Sequence, residues 1–162
     1  MNKKIIVLAV VSLVIVLIDQ VTKMAIHSSF SLHESRSIID GFFNLTYVRN
    51  PGAAFGFLQS AAPMFRKIFF LSVTPVALGV ILYFLKSTKD NDWGQIAALS
   101  CVFGGAIGNY IDRIRFGYVI DFLDFYFKNM HYPAFNVADS AIVVGVILLL
   151  FYSYQEEKRA KA

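Results

Sequence analysis

Charge and cysteine are scarce in this chain. Only 16% of its 162 residues are Asp, Glu, Lys or Arg, against about 25% in an average soluble domain. A single cysteine, Cys101, stands inside an apolar run, so an internal disulfide is excluded and the thiol reads as a small hydrophobe. The three histidines, His27, His33 and His131, have no cysteine or second histidine at ligand spacing, so no metal site is expected. No Ser/His or Cys/His arrangement for nucleophilic catalysis is present either. Basic residues outnumber acidic ones 15 to 11 but form no stripe or tail, which argues against a nucleic-acid partner.

Apolar residues make up the balance, at 57%. Uncharged runs of about 16 to 20 residues recur along the chain, the length that about 30 Å of hydrocarbon requires of a helix. An ordinary soluble enzyme is excluded, and a second soluble domain has no room. The runs predict one membrane domain over 1–162, with transmembrane helices at about 5–26, 68–85, 94–111 and 138–154 and outer loops at about 27–66 and 113–137. Met1-Asn2-Lys3-Lys4 before an apolar stretch imitates a secretory signal peptide, but Asp19-Gln20-Val21-Thr22-Lys23 follows in place of a small-residue cleavage site. The segment therefore reads as a retained first helix. In the second run, Thr74-Pro75 predicts a kink. In the third, Gly104 and Gly108 form a GxxxG spacing that lets another helix or a ligand approach the backbone.

Four spans place both termini on one side. Lys3, Lys4, Lys86, Lys89, Lys158, Arg159 and Lys161 fall on that side, and an equal number of basic residues fall on the other. The first set lies in short segments at helix ends, which orientation responds to most, so both termini are expected in the cytoplasm. The outer face then carries the long loops. After the turn signal Asp40-Gly41, Phe42 to Val48 is rich in aromatic and β-branched residues and reads as a strand, ended by Asn50-Pro51-Gly52. A small β-rich cap lined by Phe42, Phe43, Tyr47, Phe55 and Phe57 is expected on the outer membrane surface. With the glycine-lined third helix, it would flank a groove open to lipid.

Ionisable groups at membrane depth are costly and are therefore paired or functional. Asp19 and Lys23 stand at i,i+4 and read as a neutralised structural pair. Asn109, Asp112 and Arg113 share one face at the outer end of the third helix, where Arg113 could also simply snorkel to the interface. Asp121 and Asp124 stand in the apolar run Val119 to Phe125, and burial there would raise a carboxyl's pKa. Asp139 opens the last helix, where it could serve as a cap. Asp112, Asp121, Asp124 and Asp139 thus crowd one outer interface. Two of them close together would share a proton, as in aspartic proteases, but spacing does not say which two. The competing class is a small four-helix proton-coupled membrane transporter. A coupling acid would belong near the midplane of a span, and only Asp19 lies within one. A purely structural subunit gives no reason for these polar residues.

The blocks Asp19–Lys23, Arg49–Gly56, Gly104–Arg113, Val119–Asp124 and Phe135–Ser140 resemble, in order, the signature blocks of bacterial lipoprotein signal peptidase, or signal peptidase II. The resemblance spans nearly the whole chain. It implies an α-helical integral membrane protein of four transmembrane helices with a small β-sheet cradle on the outer face, in the bacterial cytoplasmic (inner) membrane. It also implies hydrolysis of prolipoproteins just before a diacylglyceryl-modified cysteine, with Asp121 and Asp139 as catalytic dyad. Asn50, Asn109, Arg113 and Asn136 match polar positions around the site and are assigned to holding the substrate and orienting the dyad. Asp19 and Lys23, with Gly104 and Gly108, keep structural roles. No metal or cofactor is implied. Lipidated prolipoproteins, membrane lipids and globomycin-type inhibitors are the expected partners.

Overall fold

The structure, a computed structural model, describes residues 3–52, 58 and 60–160. Four helices alternate with a small sheet: α1 (Lys3–Ser29), β1 (Ser35–Ile39), β2 (Phe43–Asn50), α2 (Pro63–Ser87), α3 (Trp93–Phe116), β3 (Val119–Phe127), β4 (Met130–His131) and α4 (Val137–Ala160). Each apolar run read from the sequence lies inside one helix, which overruns it at both ends. In apolar surroundings a backbone satisfies its own hydrogen bonds most simply by staying helical, and the polar flanks extend that helix.

Among the described residues, α1, α2 and α4 are each long and apolar enough to cross a bilayer. The more polar α3 packs against all three, so its polar face meets protein instead of lipid; Ser100, Asn109 and Asp112 on it are buried. The result is a four-helix integral membrane fold. Asp92 caps the start of α3 by accepting from the Gln95 N–H at 3.1 Å. Gly117, at φ +78°, closes its end with an N–H to the Arg113 carbonyl, a conformation that favours glycine. At the opposite pole from the sheet, Leu8, Ile81, Leu85, Ile96 and Leu99 form a core joining α1, α2 and α3. There the buried Lys4 donates to the Thr88 carbonyl at 2.7 Å, just past the negative end of α2. Helix α2 runs on through Pro75. The ring leaves the Leu71 carbonyl without its helical donor, and the Tyr110 hydroxyl donates to that carbonyl from α3 at 3.2 Å.

The glycines of α3 face inward, and the expectation that they line a lipid-facing groove is corrected. A Cβ on Gly104 would lie 2.9 Å from the Ser12 Cα, and one on Gly108 would lie 2.6 Å from Asp19 Oδ2 and 3.2 Å from the Ala138 Cβ. The small residues are used up in bringing α1 and α4 onto α3, the close approach a small-xxx-small stripe permits. Gly108→Ala should therefore overpack this seam by about 1–3 kcal/mol, lowering the detergent-solubilised Tm by several degrees. Gly79→Ala, where a Cβ meets nothing within 4 Å, should leave the Tm unchanged or raise it.

The sheet is antiparallel in the order β1-β2-β3-β4. Between the pairs Leu45–Leu123 and Val48–Asp121, β2 spends one residue more than β3, a bulge of the kind that re-aims side chains beside active sites. Buried Tyr47, Ile120 and Phe122 pack on Ile26, with Phe30, Phe116 and Val137 around them. The sheet is thereby seated on the ends of α1 and α3, and the start of β3 is brought against the start of α4. Phe42 stands just outside β2, half-exposed, and packs edge-on against Phe125. Phe55 and Phe57, and Ala53 to Gly56 of the second signature block, lie outside the described residues.

Candidate active site

The four crowded acids are sorted by the fold into three places. Asp124 turns away from the helices: period two on a strand sends residues three apart to opposite faces. It accepts from Asn44 Nδ2 at 2.9 Å and pairs with His131 Nδ1 at 2.8 Å. Asp112 goes to Lys23, at 3.0 Å. Asp121 and Asp139 are brought together around one residue, Asn136.

Asn136 stands just before α4. Its Oδ1 accepts from the Asp139 N–H at 2.9 Å, while Asp139 Oδ2 accepts from the Asn136 N–H at 3.2 Å. This reciprocal pair is a capping box in which Asp139 occupies the third helical position and Asn136 is the cap. The amide's other end reaches β3, where Asn136 Nδ2 donates to Asp121 Oδ1 at 2.7 Å. One fully buried residue thus contacts both carboxyl groups, Asp121 through its side chain and Asp139 through its main-chain N–H, and fixes the start of the helix between them.

Each acid has a second amide. Asn50, at the end of β2, donates through Nδ2 to Asp121 Oδ2 at 2.9 Å, and its Oδ1 accepts from the Gly52 N–H at 3.0 Å. Asn109, on α3, donates through Nδ2 to Asp139 Oδ1 at 2.7 Å. All four carboxylate oxygens therefore accept a hydrogen bond from the protein. Burial nevertheless raises the Asp121 carboxyl to about 7, and the charge of Asp139 adds to the shift; the Asn50 and Asn136 donors and the charge of Lys23 oppose it without cancelling it. Desolvation outweighs the donors here because Asp121 is only 2% exposed.

Arg113 does not snorkel outward. Its Nη1 donates to the Asn109 carbonyl at 3.2 Å, its Nη2 to the Gly52 carbonyl at 3.1 Å, and its guanidinium lies 4.5 Å over the Phe70 ring. It ties the loop after β2 to α3 and α2, one helical turn from Asn109. Deeper in, Lys23 is fully buried and uses its three N–H bonds on Asp19 Oδ2 at 2.9 Å, Asp112 Oδ2 at 3.0 Å and Asn109 Oδ1 at 2.9 Å. The i,i+4 pair expected from α1 is thus part of a larger cluster. Its partner across the helices, Asp112, was not legible, and neither was Gln20, which donates to Asp112 Oδ1 at 2.9 Å and to the Gly108 carbonyl at 3.2 Å. The available signal for Gln20 is a further polar residue beside an ion pair at membrane depth.

Chemically, the arrangement offers a proton-holding carboxyl and a second carboxylate, on separate elements, at the boundary between the helices and the sheet. Among the described residues no group of His, Cys, Asp and Glu is arranged to hold a metal ion.

Comparisons with known proteins agree in direction. The family described as "Signal peptidase (SPase) II" matches residues 11–155. A lipoprotein signal peptidase of Syntrophus aciditrophicus is 50% identical over 158 residues, covering 98% of each chain. One of Geobacter sulfurreducens is 51% identical over 142 residues, covering 88% of each. Two solved structures, each described as a bacterial membrane enzyme obtained by the in meso method, have the same fold. One gives a TM-score of 0.84 at 34% identity over 94% of this chain and 90% of that one. The other gives 0.80 at 36% identity over 94% and 96%.

Proposed function

Since the chain belongs to the signal peptidase II family of membrane aspartic peptidases, we propose that it hydrolyses the prolipoprotein peptide bond just before the diacylglyceryl-modified cysteine, with Asp121 and Asp139 as its dyad. The observation that carries the assignment is Asn136, which donates to the Asp121 carboxyl through its side chain and to the Asp139 carboxyl through its main-chain N–H.

Roles follow from the environments. Asp121, whose carboxyl keeps its proton up to about pH 7, donates to the scissile carbonyl oxygen as negative charge develops there. Asp139, held by Asn109 and the Asn136 N–H, acts as the base and takes a proton from a water molecule as the water's oxygen attacks the carbonyl carbon. The tetrahedral intermediate collapses when the leaving amine receives the proton held by Asp139 and Asp121 recovers its own. The C–N bond breaks, water is consumed, and no acyl-enzyme forms. Arg113 and Asn50 hold the chain at Gly52, so that Pro51 and Gly52 form one wall for the substrate backbone.

The site stands at the outer end of the helices with both termini cytoplasmic, in the bacterial inner membrane. The acyl chains of the substrate stay in lipid while the peptide bond reaches the dyad. Globomycin-type cyclic peptides are expected to compete for the same place. Incubating purified enzyme with a lipidated prolipoprotein should give a mass loss equal to its signal peptide. The same precursor with an unmodified cysteine should be cut at least about a hundredfold more slowly, because uniform binding by the lipid is lost. Equal rates would refute lipid recognition, and an unchanged mass would refute the substrate.

A further inference from the structure

The buried cluster of Asp19, Lys23 and Asp112 is arranged around the dyad more closely than an inert ion pair requires. Asp112 Oδ2 accepts from the Ile120 N–H at 3.1 Å, the residue before Asp121. Asp19 Oδ1 accepts from the Ala138 N–H at 2.9 Å, the residue before Asp139. The two carboxylates that flank Lys23 therefore each hold the main chain next to one member of the dyad. Lys23 itself makes the third link. By donating to Asn109 Oδ1 at 2.9 Å, beside the longer bond from Asn136 Nδ2 at 3.2 Å, it helps fix which end of that amide points inward, so that Asn109 Nδ2 faces Asp139.

The structure assigns Lys23, with Asp19 and Asp112 as its two arms, the role of a positioning centre that sets the mutual placement of Asp121 and Asp139 and the orientation of the Asn109 amide. This inference rests on the dyad proposed above. A pair of ions buried at 0% exposure is an expensive way to hold helices together, and apolar residues of similar volume serve packing equally well. What apolar residues cannot supply is a set of directed hydrogen bonds to two backbone N–H groups and one amide. All three of the lysine's donors are spent on such links, which leaves it no proton-transfer role toward substrate.

The test is the pH profile of kcat for Lys23→Met and Asp112→Asn, measured on protein shown folded by size exclusion and circular dichroism. The charged groups around the dyad are Lys23 and Asp19 from α1, Asp112 and Arg113 from α3, and the two dyad acids from β3 and α4. Lys23→Met removes the shorter of the two donors to Asn109 Oδ1 and a positive charge, so kcat should fall at least about thirtyfold with KM within threefold, and both limbs should move to higher pH. Asp112→Asn removes a negative charge and loosens the Ile120 arm, so kcat should fall with both limbs moving to lower pH. A structural pair would lower the Tm and leave the limbs in place. Unmoved limbs, or kcat within twofold of the parent in either variant, would overturn the positioning role. Near-parental turnover in Asp121→Asn or Asp139→Asn would instead overturn the dyad itself, so the two failures are distinguishable.

Discussion

Asp121→Asn is expected to abolish turnover and to make the protein harder to unfold at alkaline pH. The loss of activity should be about a thousandfold or more, since the proton delivered to the scissile carbonyl disappears and a positioned general acid contributes about 10²–10⁴. The gain in stability has the opposite origin. An unfolded aspartyl carboxyl loses its proton near pH 4, whereas the folded one keeps it to about 7. Between those values the folded state binds a proton that the unfolded chain does not. The contribution of Asp121 to stability therefore falls as pH rises through that window and is wholly lost above it.

At pH 8 the buried charge costs on the order of 4 kcal/mol, with about 1.4 kcal/mol for each pH unit. The amide recovers only part of this, because its NH₂ must face the donor of Asn50 or of Asn136. A net gain of about 1–2 kcal/mol should raise the Tm by about 3–8 °C at pH 8, with the difference shrinking toward pH 5. Activity of the parent should decline as pH rises through about 7, where Asp121 gives up its proton. Asp139→Asn should be equally inactive, and with its charge removed Asp121 should ionise at lower pH, visible in the infrared carboxyl stretch. A variant of either acid that cleaves at near the parental rate would refute the dyad.

The parts of this molecule that were legible in the sequence are those set by local chemistry. The four apolar runs announce helices because nothing but a self-satisfied backbone suits hydrocarbon. Phe42 to Val48 announces a strand because its β-branched and aromatic residues sit between turn signals. The choice between Asp121 and Asp124 was not legible, because strand periodicity says that they face opposite sides but not which side meets α4. The bulge in β2 that sets this register has no composition signature. Lys23 and Asp112 lie 89 positions apart, and their meeting depends on the rotational phase at which α1 rests on α3, which Gly104 and Gly108 permit without dictating. The resemblance to signal peptidase II named Asn50, Asn109 and Asn136 together, while only the fold distinguishes an amide that serves one acid from the amide that serves both.

That amide gives the second large effect. Asn136→Ala should reduce both stability and kcat, because one side chain caps α4 at the Asp139 N–H and donates to the Asp121 carboxyl. Losing the cap, which leaves the Asp139 N–H without its acceptor, costs about 1 kcal/mol, and leaving Asp121 Oδ1 without a partner costs about 1–3 kcal/mol more. A Tm lower by roughly 5 °C or more and a kcat lower by about a hundredfold are expected, the latter because small displacements of a reacting group carry penalties of that order. Asn136→Asp separates the two roles. An aspartate is an equally good cap, so the Asp139 N–H stays satisfied and the Tm should change little from that source. Its second oxygen, however, replaces the Nδ2 donor 2.7 Å from Asp121 Oδ1 with another acceptor carrying charge. The Asp121 carboxyl should then hold its proton well above pH 7, moving the alkaline limb of kcat upward while the maximal rate falls. If Asn136→Asp instead keeps the parental rate and pH profile, the contact with Asp121 is dispensable and Asn136 acts only as a helix cap.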